Sequence, residues 1–420
     1  MIKRDVFPSL LAHLQEREIT IITGPRQVGK TYLMRLLEEH CEKEGRSTLY
    51  FNLDIEDDRQ FFASQGSLMA RVRLELGDSP GVIFIDEIQR KTDAGLFLKG
   101  LYDMNLPYKF VVSGSGSLEL KEKIQESLAG RKRVFTVDPI NLHEFVNFKT
   151  GYKYEEKLQD FFMVEKNLAQ RLLEEYLVFG GYPRVITAET ADRKTEEIKD
   201  IYQSYVEKDI KGLLDVGKPQ AFTDLLKILA SQIGSLVNVA ELSSTIGISV
   251  KTINSYIWYL ERTYIISRVT PFYLNVRKEV TKAPVFYFFD PGLRNYLLGL
   301  FALPSLPAVL SGHLFENVVY NILKQTVNPP TTINFWRTRD NAEVDFVLRT
   351  GLATLPIEVK YKHIEKVQVS RSFRSFLVSY RPKKAYLAHL GETLTEKVGD
   401  TDLTLLPYYL LPTISHTPGV

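Results

Sequence analysis

Residues Gly24-Pro25-Arg26-Gln27-Val28-Gly29-Lys30-Thr31 spell a G-x-x-x-x-G-K-T loop between the apolar run Ile19-Thr20-Ile21-Ile22 and a helical stretch from Tyr32 to Glu39. The two glycines let the backbone turn tightly enough for successive N–H groups to face inward, and the following helix adds the positive end of its dipole. In such a nest Lys30 reaches the β- and γ-phosphates and the Thr31 hydroxyl ligates Mg²⁺. Gly24, Pro25, Arg26, Gln27, Val28, Gly29, Lys30, Thr31 and Tyr32 are therefore expected to cradle ATP with its Mg²⁺.

A second run, Gly81-Val82-Ile83-Phe84-Ile85, is apolar throughout, as in a parallel strand covered on both faces, and it ends in Asp86-Glu87. Asp86 is placed to help hold Mg²⁺ and Glu87 to polarise the attacking water, which points to hydrolysis as well as binding. The alternative is an acidic pair that only solvates a loop. A third strand-like run, Phe110-Val111-Val112, leads into Ser113-Gly114-Ser115-Gly116-Ser117, where a hydroxyl can sense the γ-phosphate.

The C-terminal third carries a different set. Glu316 lies near the start of a helical segment, Asp345 follows in Ala342-Glu343-Val344-Asp345-Phe346, and Leu355-Pro356-Ile357-Glu358-Val359-Lys360 reads as the next strand. Residues two apart on a strand share a face, so Glu358 and Lys360 point together while Ile357 and Val359 turn to the core. This is the D…E-x-K pattern of a metal-dependent phosphodiesterase. Asp345 and Glu358, with Glu316 as a further ligand, would hold Mg²⁺ or Mn²⁺, and Lys360 would orient the attacking water. The bland alternative is a surface Glu–Lys pair beside a solvated aspartate.

These residues require elements to position them. Strand-like runs at 19–22, 48–51, 82–85 and 110–112 alternate with helical stretches to about residue 145, the pattern of a parallel α/β sheet. Helical periodicity then dominates 154–215, broken at Gly180-Gly181-Tyr182-Pro183. Between 220 and 272 three helices are expected, the second capped by Asn238 and ended by Gly247, the third capped by Ser249, followed by a strand within Tyr264–Phe272. This is a winged helix-turn-helix pattern. Its third helix is expected to turn Lys251, Thr252, Asn254, Ser255 and Tyr259 outward, toward a DNA groove or toward a partner protein.

With GPRQVGKT, VIFIDEIQ, VVSGSGSLEL, LAGRKRVFTVDPINLHEF, FENVVYNIL, FWRTRDNAEVDFVL and PIEVK, the chain resembles archaeal and bacterial AAA+ ATPases that carry a C-terminal PD-(D/E)xK nuclease-like domain. The resemblance implies an α/β fold in four parts. A P-loop AAA+ core spans 1–150, a helical lid 151–217, a winged helix-turn-helix 218–273 and an α/β nuclease-like domain 274–420. It also implies that Ser115 or Ser113 is the sensor position and that Pro183 lies near the nucleotide. Arg131 looks like a nucleotide-contacting arginine, supplied within the chain or by a neighbour in a homo-oligomer; a solvated basic turn at Arg131-Lys132-Arg133 is the equal alternative.

Composition bounds the rest. The chain has 420 residues and a net charge of +2, so any DNA contact must come from local basic patches and not from a global field. The single cysteine, Cys41, excludes a disulfide framework and a structural zinc site and suggests a reducing, cytoplasmic setting. No apolar run has membrane-spanning length. Two functional classes remain. One is an ATPase whose turnover controls a DNA-cleaving domain acting on branched or broken DNA. The other is a nucleotide-controlled switch or binding module with a catalytically silent nuclease fold.

Overall fold

The computed structural model describes residues 2–114, 127–205, 219–273, 275, 277, 279, 282–301, 308–338 and 340–414. Five strands open the chain: β1 (Ile19–Thr23), β2 (Ser47–Asn52), β3 (Gly81–Asp86), β4 (Tyr108–Ser113) and β5 (Lys132–Thr136). They form one parallel sheet in the order β2-β3-β4-β1-β5. The three inner strands β1, β3 and β4 are buried at every position, in keeping with their largely apolar sequences. Alternate residues serve opposite faces. Ile22, Phe84 and Val111 join one core with helix Lys30–Lys43, while Ile21, Ile85 and Val112 join the other with helices Gln65–Leu76 and Ala94–Asp103. Because all strands run the same way, the segments that follow β1, β3 and β4 emerge at one edge of the sheet.

Helices Leu142–Lys149, Lys166–Phe179, Pro183–Thr187 and Ala191–Ser204 follow, in keeping with the helical periodicity. The first begins with a capping box in which Asn141 and Glu144 satisfy each other's backbone N–H groups. Next come helices Pro219–Ser231, Val239–Ile246 and Val250–Arg262, with the Asn238 and Ser249 caps as read and Gly247 in the left-handed region at φ 76°. One expected outward residue is wrong. Tyr259 is fully buried, at 0% exposure, because it lies three residues after buried Tyr256 and packs on Phe222 with it; Trp258, 37% exposed, stands outward instead.

Strand β6 (Ile266–Val269) pairs antiparallel with β7 (Val285–Phe288), so the boundary expected at 273/274 falls inside this pair. The C-terminal unit places helix Ala308–Thr326 before the antiparallel meander β8 (Thr332–Arg337), β9 (Glu343–Thr350) and β10 (Ala353–Val359). Helix Arg371–Tyr380 then leads to β11 (Lys384–His389), which joins β10 in parallel, and β12 (Leu394–Val398) and β13 (Thr401–Pro407) complete six strands in the order β12-β13-β11-β10-β9-β8. Among the described residues no helix is long and apolar enough to cross a membrane.

One short helix, Pro291–Leu297, joins the units. Its cap Asp290, 1% exposed, accepts hydrogen bonds from Leu293 N (2.7 Å) and from Gly181 N (2.6 Å) in the turn between helices of the preceding unit. Burial is the main cause pushing the Asp290 carboxyl up from the ordinary 3.8 to about 6, against the backbone N–H groups that favour its charge. A folded-state affinity above the unfolded one gives stability that is full below pH 3.8 and lost as pH rises through 6. The stability advantage of wild type over Asp290→Asn is therefore expected to shrink by about 3 kcal/mol between about pH 3.5 and about pH 7 in urea unfolding, and a gap independent of pH would refute this.

Candidate functional site

The edge where β1, β3 and β4 end gathers the first set of residues. Gly24 takes φ +148°, and a Cβ there would overlap the Val137 carbonyl oxygen, so only glycine lets β5's exit pass this close. Gly29, at φ +96°, starts helix Lys30–Lys43. The Lys30 ammonium is folded back onto the loop carbonyls, 3.1 Å from Gly24 O and 2.6 Å from Pro25 O. Such contacts hold a buried cation where an anion can exchange for them.

Asp86 is the most heavily engaged carboxylate at this edge. It accepts from Thr31 Oγ1 at 2.8 Å and from the Tyr50 hydroxyl at 2.9 Å through Oδ2, and from Glu87 N at 3.1 Å and the Ser113 hydroxyl through Oδ1. Burial, then the Asp86 charge, pushes the Tyr50 hydroxyl up, so it stays a donor. The adjoining hydroxyl and carboxylate of Thr31 and Asp86 are hard oxygen donors that fit Mg²⁺. Glu87 stands next to them in the left-handed region at φ 57°, its carboxylate held by the Gln89 amide. Ser113 is thus in contact with Asp86, whereas Ser115 lies outside the described residues.

A cavity of about 900 Å³ opens on this edge. It is lined by Gln27 to Tyr32, by Glu87, by Ile2 and Ile140, by Pro183, and by Arg26, Arg35, Arg90 and Arg184. Pro183 therefore lines the same cavity as the loop residues. Arg184, which sequence reasoning passed over, reaches Glu197 at 2.7 Å and Gln27 at 3.4 Å. Arg4 was also missed. Its guanidinium donates to Val28 O (3.0 Å) and Asp138 O (2.6 Å) and pairs with buried Glu144 (3.1 Å), bracing the loop from below.

Arg131 is elsewhere. Its carbonyl accepts from Ile19 N at the start of β1, the opposite end of that strand from the loop, and its side chain pairs with Asp103 at 2.8 Å. Strand β1 has five residues, so about 16 Å separates its two ends and Arg131 does not reach the loop of its own chain.

The second set assembles on β9, β10 and helix Ala308–Thr326. Asp345 Oδ2 accepts from Val359 N at 2.6 Å; Glu358 pairs with Lys360 at 2.9 Å and accepts from Ser370 Oγ at 3.1 Å. Glu316 accepts from the Tyr287 hydroxyl on β7 and lies 3.6 Å from His313 Nδ1. Burial and then the Glu316 charge push the Asp345 carboxyl well above the carboxylate range. Burial lowers Lys360, but the Glu358 and Asp345 carboxylates outweigh it and the ammonium ends raised. All-oxygen donors crowded by like charge fit a divalent cation by chemistry. Their arrangement is incomplete for one, since among the described residues no three Asp, Glu, His or Cys side chains converge as a metal-binding group. A separate cavity of about 1030 Å³, between helix Lys166–Phe179 and the loops around His363 and Glu392, contains none of the expected residues.

Residues 16–146 match the family described as an AAA domain, 170–303 a domain of unknown function (DUF8612) and 311–410 a domain of unknown function (DUF4143). The middle match spans both boundaries expected at 217/218 and 273/274. An uncharacterized protein of Mycobacterium tuberculosis is 27% identical over 398 residues, 93% of this chain and 80% of the relative. An uncharacterized protein of Methanocaldococcus jannaschii is 23% identical over 356 residues, 83% of this chain and 75% of the relative. Among solved structures, the replication initiator DnaA bound to AMPPCP and single-stranded DNA aligns with a TM-score of 0.32 at 15% identity, over 62% of this chain and 90% of that one, too weak a likeness to carry any conclusion. The chain therefore combines an AAA domain with a C-terminal domain of the DUF4143 type, an architecture similar to uncharacterized bacterial and archaeal proteins.

Proposed function

We propose that this protein binds and hydrolyses ATP in the cavity beside Gly24–Tyr32 and that turnover there governs a DNA-directed C-terminal site. The observation that carries the first half is the contact of Thr31 Oγ1, a residue lining the arginine-rich cavity beside the glycine loop, with the buried Asp86 carboxylate. In this reading the phosphates displace Lys30 from the Gly24 and Pro25 carbonyls and take up the backbone N–H groups of the loop. Thr31 and Asp86 would hold Mg²⁺, which when bound would supply the positive charge that the phosphate oxygens need. Glu87 takes the proton of the attacking water, and Ser113 keeps Asp86 oriented. Arg184 grips the phosphates from the Pro183 side of the cavity, and Arg131, at the far end of β1, is left to serve the nucleotide of a neighbouring copy in a homo-oligomer.

In the second half, Asp345 and Glu358, with Glu316, would hold Mg²⁺ or Mn²⁺, and Lys360 would orient the water that attacks a phosphodiester. The helix–meander–helix–strand order of the C-terminal unit supports a nuclease-like fold. The three-helix unit with its β6–β7 pair is read as a winged helix. Its exposed Lys251, Asn254, Ser255 and Trp258 suit contact with DNA phosphates and bases. The engagement of Glu316, Glu358 and Asp345 by protein partners, without a converged metal group, favours a second reading in which this site grips DNA or a partner protein and does not cut.

Two experiments test these assignments. Arg184→Ala is expected to weaken ATP binding by about tenfold to a hundredfold, the worth of a charge-assisted hydrogen bond, while Arg131→Ala leaves the affinity of a dilute, monomeric preparation unchanged; isothermal titration measures both, and the opposite pattern would move the nucleotide site. Incubation with single-stranded, duplex and branched DNA plus Mg²⁺ or Mn²⁺, with and without ATP, is expected to give cleavage that Asp345→Ala abolishes while binding persists. Cleavage surviving in Asp345→Ala would remove the catalytic assignment, and binding without cleavage in wild type would select the gripping reading.

A further inference from the structure

The segment from Lys360 to Lys384 holds eight lysines and arginines against one acid, Glu365, in a chain whose net charge is only +2. Lys360 pairs with Glu358, and Lys384 stands across from Asp402 in the pairing of β11 with β13. The other six are open to solvent. Lys362, Lys366, Arg371, Arg374, Arg381 and Lys383 are exposed, and among the described residues none of their side chains forms an ion pair or a hydrogen bond.

Helix Arg371–Tyr380 is the spine of this surface. Its Phe373, Phe376 and Leu377 are buried in one cluster with Trp336 of β8 and Val344 and Val347 of β9. At 3.6 residues per turn the opposite side carries Arg371, Arg374, Ser375 and Val378, and all four are exposed. Other exposed helical cations of this chain are answered by acids one turn away, Arg35 by Glu38, Lys43 by Glu39 and Arg193 by Glu196. Here the positions four on from Arg371 and Arg374 hold Ser375 and Val378 instead. Both arginines also lie in the first four residues of the helix, where its dipole is positive and no acid stands. The cap Ser370 accepts from Phe373 N and donates to Glu358, each at 3.1 Å, so the stripe starts beside the acids of the C-terminal site. From Arg371 to Arg381 the chain climbs about 15 Å, the rise of roughly four nucleotides of one strand in a duplex.

A stripe of one sign facing solvent is complementary to a phosphodiester backbone. It offers unpaired bases no ring to stack on, because Phe373 and Phe376 are buried and Tyr380 packs on Phe272 and Trp336. It has nothing to insert into a bilayer, because the apolar side of the helix is spent on the sheet. Resting on the reading that the C-terminal unit is directed at DNA, we propose that the outward face of helix Arg371–Tyr380, with Arg381 at its end, docks the backbone of duplex DNA. Arg371 and Arg374 meet phosphates irrespective of sequence and lay the duplex beside Glu358 and Lys360. This docking requires neither a metal ion nor cleavage.

The test is binding of the full-length protein to a short fluorescein-labelled duplex in EDTA, read by anisotropy from about 50 to about 200 mM salt. The variant carries Arg371→Gln, Arg374→Gln and Arg381→Gln together. A control carrying Lys43→Gln, Arg73→Gln and Arg193→Gln removes the same net charge from other exposed positions. The expected result is at least about tenfold weaker binding at low salt in the helix variant, and a slope of log affinity against log salt shallower by about 3, with the control at wild-type values and all melting temperatures alike. A wild-type slope in the helix variant, or an equal loss in the control, would overturn the inference while leaving DNA binding to the rest of the molecule. Tighter binding of a single strand through the same arginines would overturn the duplex assignment. Arginine-dependent binding to phosphatidylserine vesicles but not to the duplex would give the surface to a membrane instead. A wild-type protein that binds no DNA would overturn this inference and the DNA-directed reading together.

Discussion

A carboxylate taken out of water must be met by donors, and the way Asp290 is met ties the molecule together. Its oxygens serve Leu293 N in its own helix and Gly181 N in the turn that precedes Pro183 and Arg184, so the cap of one element is also the anchor of another. The same short helix then spends Arg294 on Ala230 O, at the C-terminal end of helix Pro219–Ser231, and Asn295 on Leu177 O and Val178 O, at the end of helix Lys166–Phe179. These are the orphan carbonyls that every helix leaves at its end. Each would cost about 1–3 kcal/mol if buried without a partner, so the arrangement is held by penalties for leaving it as much as by the bonds themselves. Arg294 is fully buried without a carboxylate partner among the described ion pairs, and the partial negative charge of the helix end it closes is what makes that tolerable.

From this joint the two chemical sites diverge in how they are organised. At the sheet edge, parallel strands deliver the glycine loop, Asp86 and Ser113 to one place, and Asp86 is saturated with donors before any ligand arrives. The C-terminal site draws its groups from a helix, two antiparallel strands and β7. Each of its acids is instead answered by a different protein group, and burial, with the Glu316 charge beside it, pushes the Asp345 carboxyl up. At the first site the sheet fixes the loop, the ammonium and the carboxylate together.

What could be read from the residues was whatever is spelled within a few positions of itself. The loop at Gly24–Thr31, the buried strand before Asp86 and the Asn238 and Ser249 caps depend on local backbone geometry, and they are where the periodicity puts them. Tyr259 was read as outward because hydropathy does not say which of two adjacent aromatics, Trp258 or Tyr259, faces Phe222. Arg4, Arg184 and Tyr287 left no local mark at all. They matter through partners 140, 157 and 29 residues away, and such contacts exist only after the chain has folded. The strand within Tyr264–Phe272 was legible, but its partner β7 was read as the opening of the next unit, since strand pairing is decided by packing and not by proximity in sequence.

The bond from Gly181 to Asp290 joins residues 109 positions apart. During synthesis the chain leaves the ribosome from its N-terminus, so the turn that carries Pro183 and Arg184 emerges well before the carboxylate that fixes it. At about 5–20 residues per second this interval lasts on the order of ten seconds, long compared with the formation of any single helix. The cavity beside the glycine loop is therefore built in two stages: the loop and its sheet can settle early, while the wall that bears Arg184 waits for residues that have not yet been made. In that interval the glycine loop stands beside an unfinished wall, so the nascent chain presents a wider opening there than the finished one.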